Sequence, residues 1–324
     1  MEYIMFALGC FFFIGLMMWL IASSEPRPTP QQIKNKIILD RKLRKLKKAL
    51  TPDEIIFPML LGVIILGAVG MLWVIPWLFL NKSTPEKHPW VTDEERNLIL
   101  SSRIDKKKTT EVKQKSLSVL KILSYKQSWG VLLCRFFIEP IWWFFAAWMP
   151  IYLNKTFGLS IEEIAATMWI SYLMAAVGSI TGGWFTGILI KTKSVDASRK
   201  IAITTGGLLV FIGFVGIIQF VGEDNFMTFI YMAGLVLFGF QFAIGNIQTI
   251  SSDLFRGPSV GTLAGLAGTI AAISPMIMNW FIGQITKGGS YTPAFIAITS
   301  SVILGVLAIF VFIRKIEPVR KTIE

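Results

Sequence analysis

Apolar residues in this chain gather into long uninterrupted stretches instead of alternating with polar ones. Runs of about 20 residues have the length needed to cross roughly 30 Å of hydrocarbon. Eight are apparent: 3–22, 57–80, 128–153, 161–190, 201–221, 226–250, 258–285 and 293–314. Each predicts a membrane-spanning helix, so the expected fold class is an all-α membrane protein with about eight transmembrane helices. Trp73, Trp77, Trp148, Tyr152 and Tyr291 fall near stretch ends, where amphipathic rings prefer the membrane–water interface. Helix starts are written between the stretches. Thr51-Pro-Asp-Glu54 places Pro at a first helical position, Ser160-Ile-Glu-Glu163 has capping-box spacing, and Thr92-Asp-Glu-Glu95 opens a short polar helix. The stretch 3–22 has no basic segment before it and no A-x-A-like site before Pro26, so it reads as a retained helix and not as a cleaved signal.

Composition agrees with this reading: 53% of residues are hydrophobic and only 16% charged. The net charge of +12 has a local origin. Residues 34–48 carry a net +7 and residues 82–127 a net +5, which together account for the whole excess. The basic balance therefore describes two membrane-proximal segments, and no nucleic-acid-reading module accompanies it. Cys10 and Cys134 both lie inside apolar stretches, and His88 is the sole histidine. No disulfide framework, metal-ligand cluster, Ser-His-Asp triad or Walker loop can be assembled from these residues, so no catalytic residue, metal or cofactor is expected.

Charge also predicts orientation, because cytoplasmic loops carry excess Lys and Arg. Residues 82–127, the segment Lys191–Lys200 and the tail with Arg314, Lys315, Arg320 and Lys321 are basic, whereas Glu223 and Asp224 mark an external turn. Six helices thus run from a cytoplasmic loop to a cytoplasmic C-terminus in the cell membrane. The front end breaks the rule. If 57–80 enters the cytoplasm at Lys82, the nine basic residues of 23–56 lie outside. Within that segment Leu39, Leu43, Leu46 and Leu50 repeat at helical spacing among Lys and Arg. That pattern reads either as a basic amphipathic helix on anionic lipid headgroups or as a solvated juxtamembrane helix. The discontinuity near residue 55 is expected to mark a truncated or rearranged reading frame.

In hydrocarbon every polar group must be satisfied within the protein, so polar residues inside the stretches are the informative ones. Gln241, Gly245, Gln248 and Ser252 fall on one helical face, flanked by Asn246 and Thr249. Such amides and hydroxyls suit a polyhydroxylated solute, or they tie helices together. Arg135 and Glu139 are four apart and can pair. Glu139 is the only carboxylate well inside an apolar stretch of the six-helix region, either a proton-carrying acid or half of a structural ion pair. Trp142 and Trp143 either stack on the apolar face of a sugar ring or fill the bundle core. Gly178, Gly182, Gly261, Gly265 and Gly268 have small-residue spacing and predict close helix packing.

An ordered set of motifs then resembles a known family. It comprises Pro85-Glu-Lys-His-Pro-Trp-Val-Thr-Asp-Glu-Glu-Arg96, Arg135-Phe-Phe-Ile-Glu-Pro-Ile-Trp-Trp-Phe144, Gly182-Gly-Trp184 followed by Arg199-Lys200, Gln241, Asn246-Ile-Gln-Thr249, Ser252-Asp-Leu-Phe255, Val260-Gly261 and Gly289-Ser-Tyr-Thr-Pro-Ala-Phe295. From about residue 62 to 315 the chain resembles the anion:cation symporter group of the major facilitator superfamily, the hexuronate and related sugar-acid transporters. The resemblance implies that 57–81 is the equivalent of the sixth helix, 82–127 the central cytoplasmic loop and 128–324 a C-terminal six-helix transporter half. The stretch 1–22 would be an extra N-terminal helix and 23–56 the basic segment after it.

The resemblance further implies proton-coupled symport of a small organic anion, with Gln241, Asn246, Gln248 and Thr249 near a central site and a matching N-terminal half as partner. Helices one to five have no counterpart in this chain. In the family the proton-coupling acids and a substrate-binding Arg lie mainly in that half. Gly187 also stands where the family commonly has an Asp. The expected function is that of a truncated sugar-acid transporter, inactive or poor by itself. A non-transporting membrane scaffold or partner subunit is the alternative from another class.

Overall fold

Wherever the chain is described, its apolar stretches are helical. The computed structural model describes residues 52–81, 88, 90–108, 117–221 and 225–319. The predicted helix at 3–22, most of the basic segment 23–56 and the acidic turn at Glu223 and Asp224 lie outside them. Eleven helices follow in order among the described residues. They are α1 (Pro52–Leu72), α2 (Val74–Leu80), α3 (Asp93–Lys108), α4 (Val119–Leu123), α5 (Lys126–Ile138), α6 (Pro140–Phe157), α7 (Ile161–Ile190), α8 (Val195–Phe220), α9 (Phe226–Leu254), α10 (Pro258–Ile285) and α11 (Thr292–Phe312). Seven spans among the described residues are long and apolar enough to cross a membrane, with α1–α2 and α5–α6 each making one. The protein is an all-α, multi-pass membrane protein.

Three boundaries differ from the sequence reading, each for a local reason. The stretch 57–80 begins at Pro52 and is interrupted at Trp73, three residues before Pro76. The stretch 128–153 divides at Glu139, because Pro140 has no N–H with which to continue the ladder. The segment Lys191–Lys200 is not all loop. Ser194 caps α8 by accepting from the Ala197 N–H at 3.2 Å, so Asp196, Arg199 and Lys200 lie on the first turns of a helix. The capping box at Ser160 and Glu163 is formed, and so is the reciprocal pair of Thr92 and Glu95 that opens α3.

The described residues belong to two units. One holds α1, α2 and α3. Its α1–α2 span is apolar on every side, as suits a helix in contact with lipid. Within the same unit His88 Nε2 lies 3.0 Å from the Leu80 carbonyl at the end of α2.

The other unit is the bundle α4–α11. Its centre is α9, which packs against α7 and α8 along most of its length and also meets α5, α6 and α10. This proximity requires glycine. A Cβ on Gly178 or Gly182 of α7 would stand 2.3 Å from the carbonyl oxygen of Phe238 or Phe242 on α9. Gly206 of α8 and Gly239 of α9 face one another just as closely, with 2.6 and 2.7 Å to the opposing carbonyl. Backbones brought this near gain dispersion contacts that larger residues would forbid.

Aromatic rings fill the interior where the helices diverge. Phe144 lies 5.8 Å from Phe295, and Tyr152 meets Phe229 at 5.0 Å, Tyr291 at 5.1 Å and Phe295 at 5.4 Å, all within range of edge-on aromatic attraction. Polar ties are few: Ser171 Oγ donates to the Ile230 carbonyl at 2.8 Å, joining α7 to α9, and Trp148 Nε1 donates to Asn279 at 3.1 Å, joining α6 to α10.

The glycines of α10 do not share the role expected of them. Gly261, Gly265 and Gly268 are exposed, and no heavy atom of the described residues lies within 4 Å of a Cβ built on any of them. Gly182→Leu should therefore destabilise the purified chain by about 1–3 kcal/mol or more, because overpacking a backbone contact forces the helices apart. Gly265→Ala should leave the thermal unfolding midpoint in detergent unchanged. Equal midpoints for the two variants would refute the glycine contact as the basis of α7–α9 packing.

Candidate functional site: a polar face on a membrane helix

The polar residues of α9 divide between two directions. Gln241 and Thr249 are half-buried, while Gly245, Gln248 and Ser252 are exposed along the same side. Thr249 Oγ1 is bonded within the helix, to the Asn246 carbonyl at 2.9 Å. The exposed surface of the bundle is otherwise largely apolar, with Trp169, Ile180 and Trp184 on α7, Leu208 and Ile212 on α8, and Leu307 and Phe310 on α11. Uncompensated amides are expensive against lipid, which makes this α9 face the candidate for contact with water or a solute.

Asn246 points the other way. It is 2% exposed and receives a hydrogen bond from Arg199 Nη1 at 2.9 Å, while its amide lies 3.3 Å from the Phe242 carbonyl. Arg199 Nε in turn donates to Asp253 Oδ2 at 3.0 Å. One guanidinium thereby joins the start of α8 to the last turns of α9, beside the Gly182 contact with α7. Asn246 is a member of this junction and not of the exposed face.

The two tryptophans also separate. Trp142 is half-buried, edge-on to Tyr172 of α7 at 5.5 Å and stacked with Phe240 of α9 at 6.0 Å, so part of its ring is engaged by protein. Trp143, rotated by one residue, is 49% exposed. Arg135 and Glu139 do pair, with Nη1 3.0 Å from Oε2, at the α5–α6 junction. Arg135 is 8% exposed.

A family model for the Major Facilitator Superfamily matches residues 55–277. This chain belongs to the Major Facilitator Superfamily. Among its relatives in that superfamily, the hexuronate transporter of Escherichia coli strain K12 is 31% identical over 258 residues, covering 78% of this chain and 57% of the relative. The galacturonate transporter of Dickeya chrysanthemi is 35% identical over 148 residues, covering 45% of this chain and 42% of the relative. A probable galactarate/D-glucarate transporter of Bacillus subtilis is 27% identical over 264 residues, covering 79% and 56%. The chain spans about half the length of the curated relatives it matches.

Sequence reasoning missed the part of this superfamily member that joins α8, α9 and the segment after α11. Asp196 accepts both Lys200 Nζ and the Ile316 N–H at 2.8 Å, Lys200 donates to the Arg314 carbonyl at 2.7 Å, and the Val319 N–H donates to the Leu254 carbonyl at 2.8 Å. The signal was present as opposite charges four apart on a helix start, but their partners come from more than 100 residues away. A Cβ built on Gly187, where the resemblance leads one to expect an Asp, would meet no neighbouring helix within 4 Å, and Arg199 finds its carboxylate at Asp253.

Asn246→Ala should cost about 1–3 kcal/mol, the penalty for leaving a buried polar partner unsatisfied. Gln248→Ala, on the exposed face, should leave the unfolding midpoint within error of wild type. Comparison of the two variants by thermal unfolding in detergent tests this division, and a larger loss for Gln248→Ala would contradict it.

Proposed function

We propose that the bundle α4–α11 supplies one wall of a permeation site for sugar acids, with hexuronates as the substrate class and proton symport as the driving reaction. The observation that carries this reading is the row Gln241, Gly245, Gln248 and Ser252, a polar face left open on a membrane-spanning helix. Its amides both donate and accept, which matches the alternating hydroxyls of a sugar. Thr249 and the exposed ring of Trp143 extend the same chemistry, the latter by stacking on the apolar side of a pyranose. Trp142 backs the face from within, and Asn246 holds the backbone of α9 through Arg199. The relatives' names, as transporters of hexuronate, galacturonate and galactarate or glucarate, agree with this substrate class.

In this reading the opposite wall is a second helix bundle, and substrate access alternates as the two bundles rock against one another. The segment after α11 lies in the cytoplasm, as the basic residues at 191–200 and 314–321 favour.

Uptake of radiolabelled D-glucuronate tests the proposal in cells that lack their own hexuronate uptake. The chain by itself is expected to give near-background uptake. Co-expression with the amino-terminal six helices of the E. coli hexuronate transporter is expected to raise it. Gln241→Ala and Gln248→Ala should each weaken apparent affinity about tenfold, the equivalent of one lost hydrogen bond. Robust uptake by the chain by itself would remove the need for a second wall. Absence of any glucuronate-dependent signal, in uptake or in binding, would sink the sugar-acid reading.

A further inference from the structure

Helix α2 ends at Leu80, and a helix end leaves its last carbonyls without partners in its own ladder. The Asn81 N–H bonds to the Trp77 carbonyl, and the last turn holds no basic side chain that could reach the others. The Leu80 carbonyl is met instead from eight residues along the chain, by His88 Nε2 at 3.0 Å. The second ring nitrogen is engaged as well, with the Trp90 N–H 3.3 Å from Nδ1. The Val91 N–H donates to the His88 carbonyl at 3.4 Å, so His88 closes the turn that leads into α3, where Thr92 and Glu95 form the cap. One imidazole therefore ties the end of a membrane span to the start of the polar helix that follows.

The partners fix where the proton sits. A carbonyl can only accept and a backbone N–H can only donate, so Nε2 carries the hydrogen and Nδ1 is bare. The neutral Nε2–H tautomer alone makes both contacts. A proton added at Nδ1 sets two N–H donors against each other across the 3.3 Å gap, and the Trp90 contact is lost. The Leu80 contact survives and strengthens, because a charged donor bonds more tightly and a cation is favoured at a helix C-terminus. The His88 and Trp90 rings meet edge-on at 5.8 Å, a contact open to either charge state, so the change falls on the backbone turn. Other charges nearby are few or already engaged. Helix α2 has no titratable side chain, and α1, which packs against it, has its carboxylates at Asp53 and Glu54 in its first turn. In the first turn of α3, Asp93 pairs with Arg96 at 2.6 Å, Glu95 accepts from the Thr92 N–H, and Glu94 is exposed. Arg96 Nη2 also donates to the Val91 carbonyl at 3.3 Å. Lys82, Glu86 and Lys87 adjoin His88 in sequence.

We propose that His88 is a pH-sensitive joint between the α1–α2 span and α3. The joint is closed on both sides while the imidazole is neutral. When the ring takes up a proton, it stays on α2 and lets go of the turn that opens α3. A histidine side chain is the one that ordinarily changes charge between about pH 5 and 8, and this chain has no other. The proton comes from water and no solute takes part, so the joint works whatever the bundle α4–α11 carries.

Nitrogen NMR of the full chain in detergent, labelled at histidine and tryptophan, tests the inference. With a single histidine the imidazole signals need no assignment, and on the alkaline side they should report the Nε2–H tautomer, a measurement that requires no variant. The Trp90 amide, identified by its loss in Trp90→Phe, should there exchange with water more slowly than its intrinsic rate. As the pH falls from about 8 to about 5, that protection should drop about two- to tenfold, the worth of one net hydrogen bond, with the same midpoint as the imidazole. His88→Gln, neutral throughout, should show the same Trp90 protection at every pH. The Nδ1–H tautomer on the alkaline side would overturn the inference. So would a Trp90 amide that stays unchanged across the imidazole titration, or a wild-type pH response in His88→Gln.

Discussion

The bundle depends on the backbone-to-backbone approach of α9 to its two neighbours. Hydrocarbon offers no hydrophobic driving force between helices, so association must come from dispersion, shape and a few polar ties. Gly178 and Gly182 on one side and Gly206 against Gly239 on the other let α9 lie between α7 and α8 at a distance that side chains would prevent. Once α9 is fixed there, its inward surface is set by Phe240, Ile244 and Ile247, and its outward surface is left to Gln241, Gly245, Gln248 and Ser252. The position of the candidate site is thus a consequence of helix packing. A rotation of α9 by one residue would turn Gln241 toward α7 and bring Phe240, Ile244 and Ile247 to the outward side.

Polar chemistry is distributed around this core by cost. Arg199, Asp253, Asp196 and Lys200 lie near helix ends, where they are partly exposed and can bind carbonyls, amides and one another. These contacts join α8, the end of α9 and the segment 313–319 into one end of the bundle, with Ile313 and Ile316 buried beneath them. Arg135 and Glu139 are the exception, a charge pair kept in mid-span beside a proline break. Charges there persist only where something compensates them, and here each compensates the other.

The division of labour between buried and open residues also separates stability from recognition. Asn246, Gly182 and Ser171 are engaged by neighbouring helices, and their substitution acts on packing. Gln248, Ser252 and Trp143 touch little within the bundle, so a change there acts on whatever approaches from outside. Residues adjacent in sequence, such as Trp142 and Trp143, fall on opposite sides of this line.

Much of the architecture is legible in the sequence, because hydrocarbon imposes a length and an apolar composition that few other environments require. The spans, the caps at Thr92 and Ser160, the polar row on α9 and the Arg135–Glu139 spacing all follow from local periodicity and helix chemistry. Periodicity does not say what stands opposite a given face. The sequence grouped Asn246 with the row that Gln248 belongs to, and it treated the glycines of α7 and α10 alike. Only the tertiary structure turned Asn246 toward Arg199, set Gly182 against a carbonyl and left Gly265 open, since these outcomes depend on contacts between residues tens of positions apart. The sequence by itself determined which segments are helices in a membrane and which carry polar groups. The packing of α9 against α7 and α8 decided which of those groups are spent on holding helices together and which remain exposed.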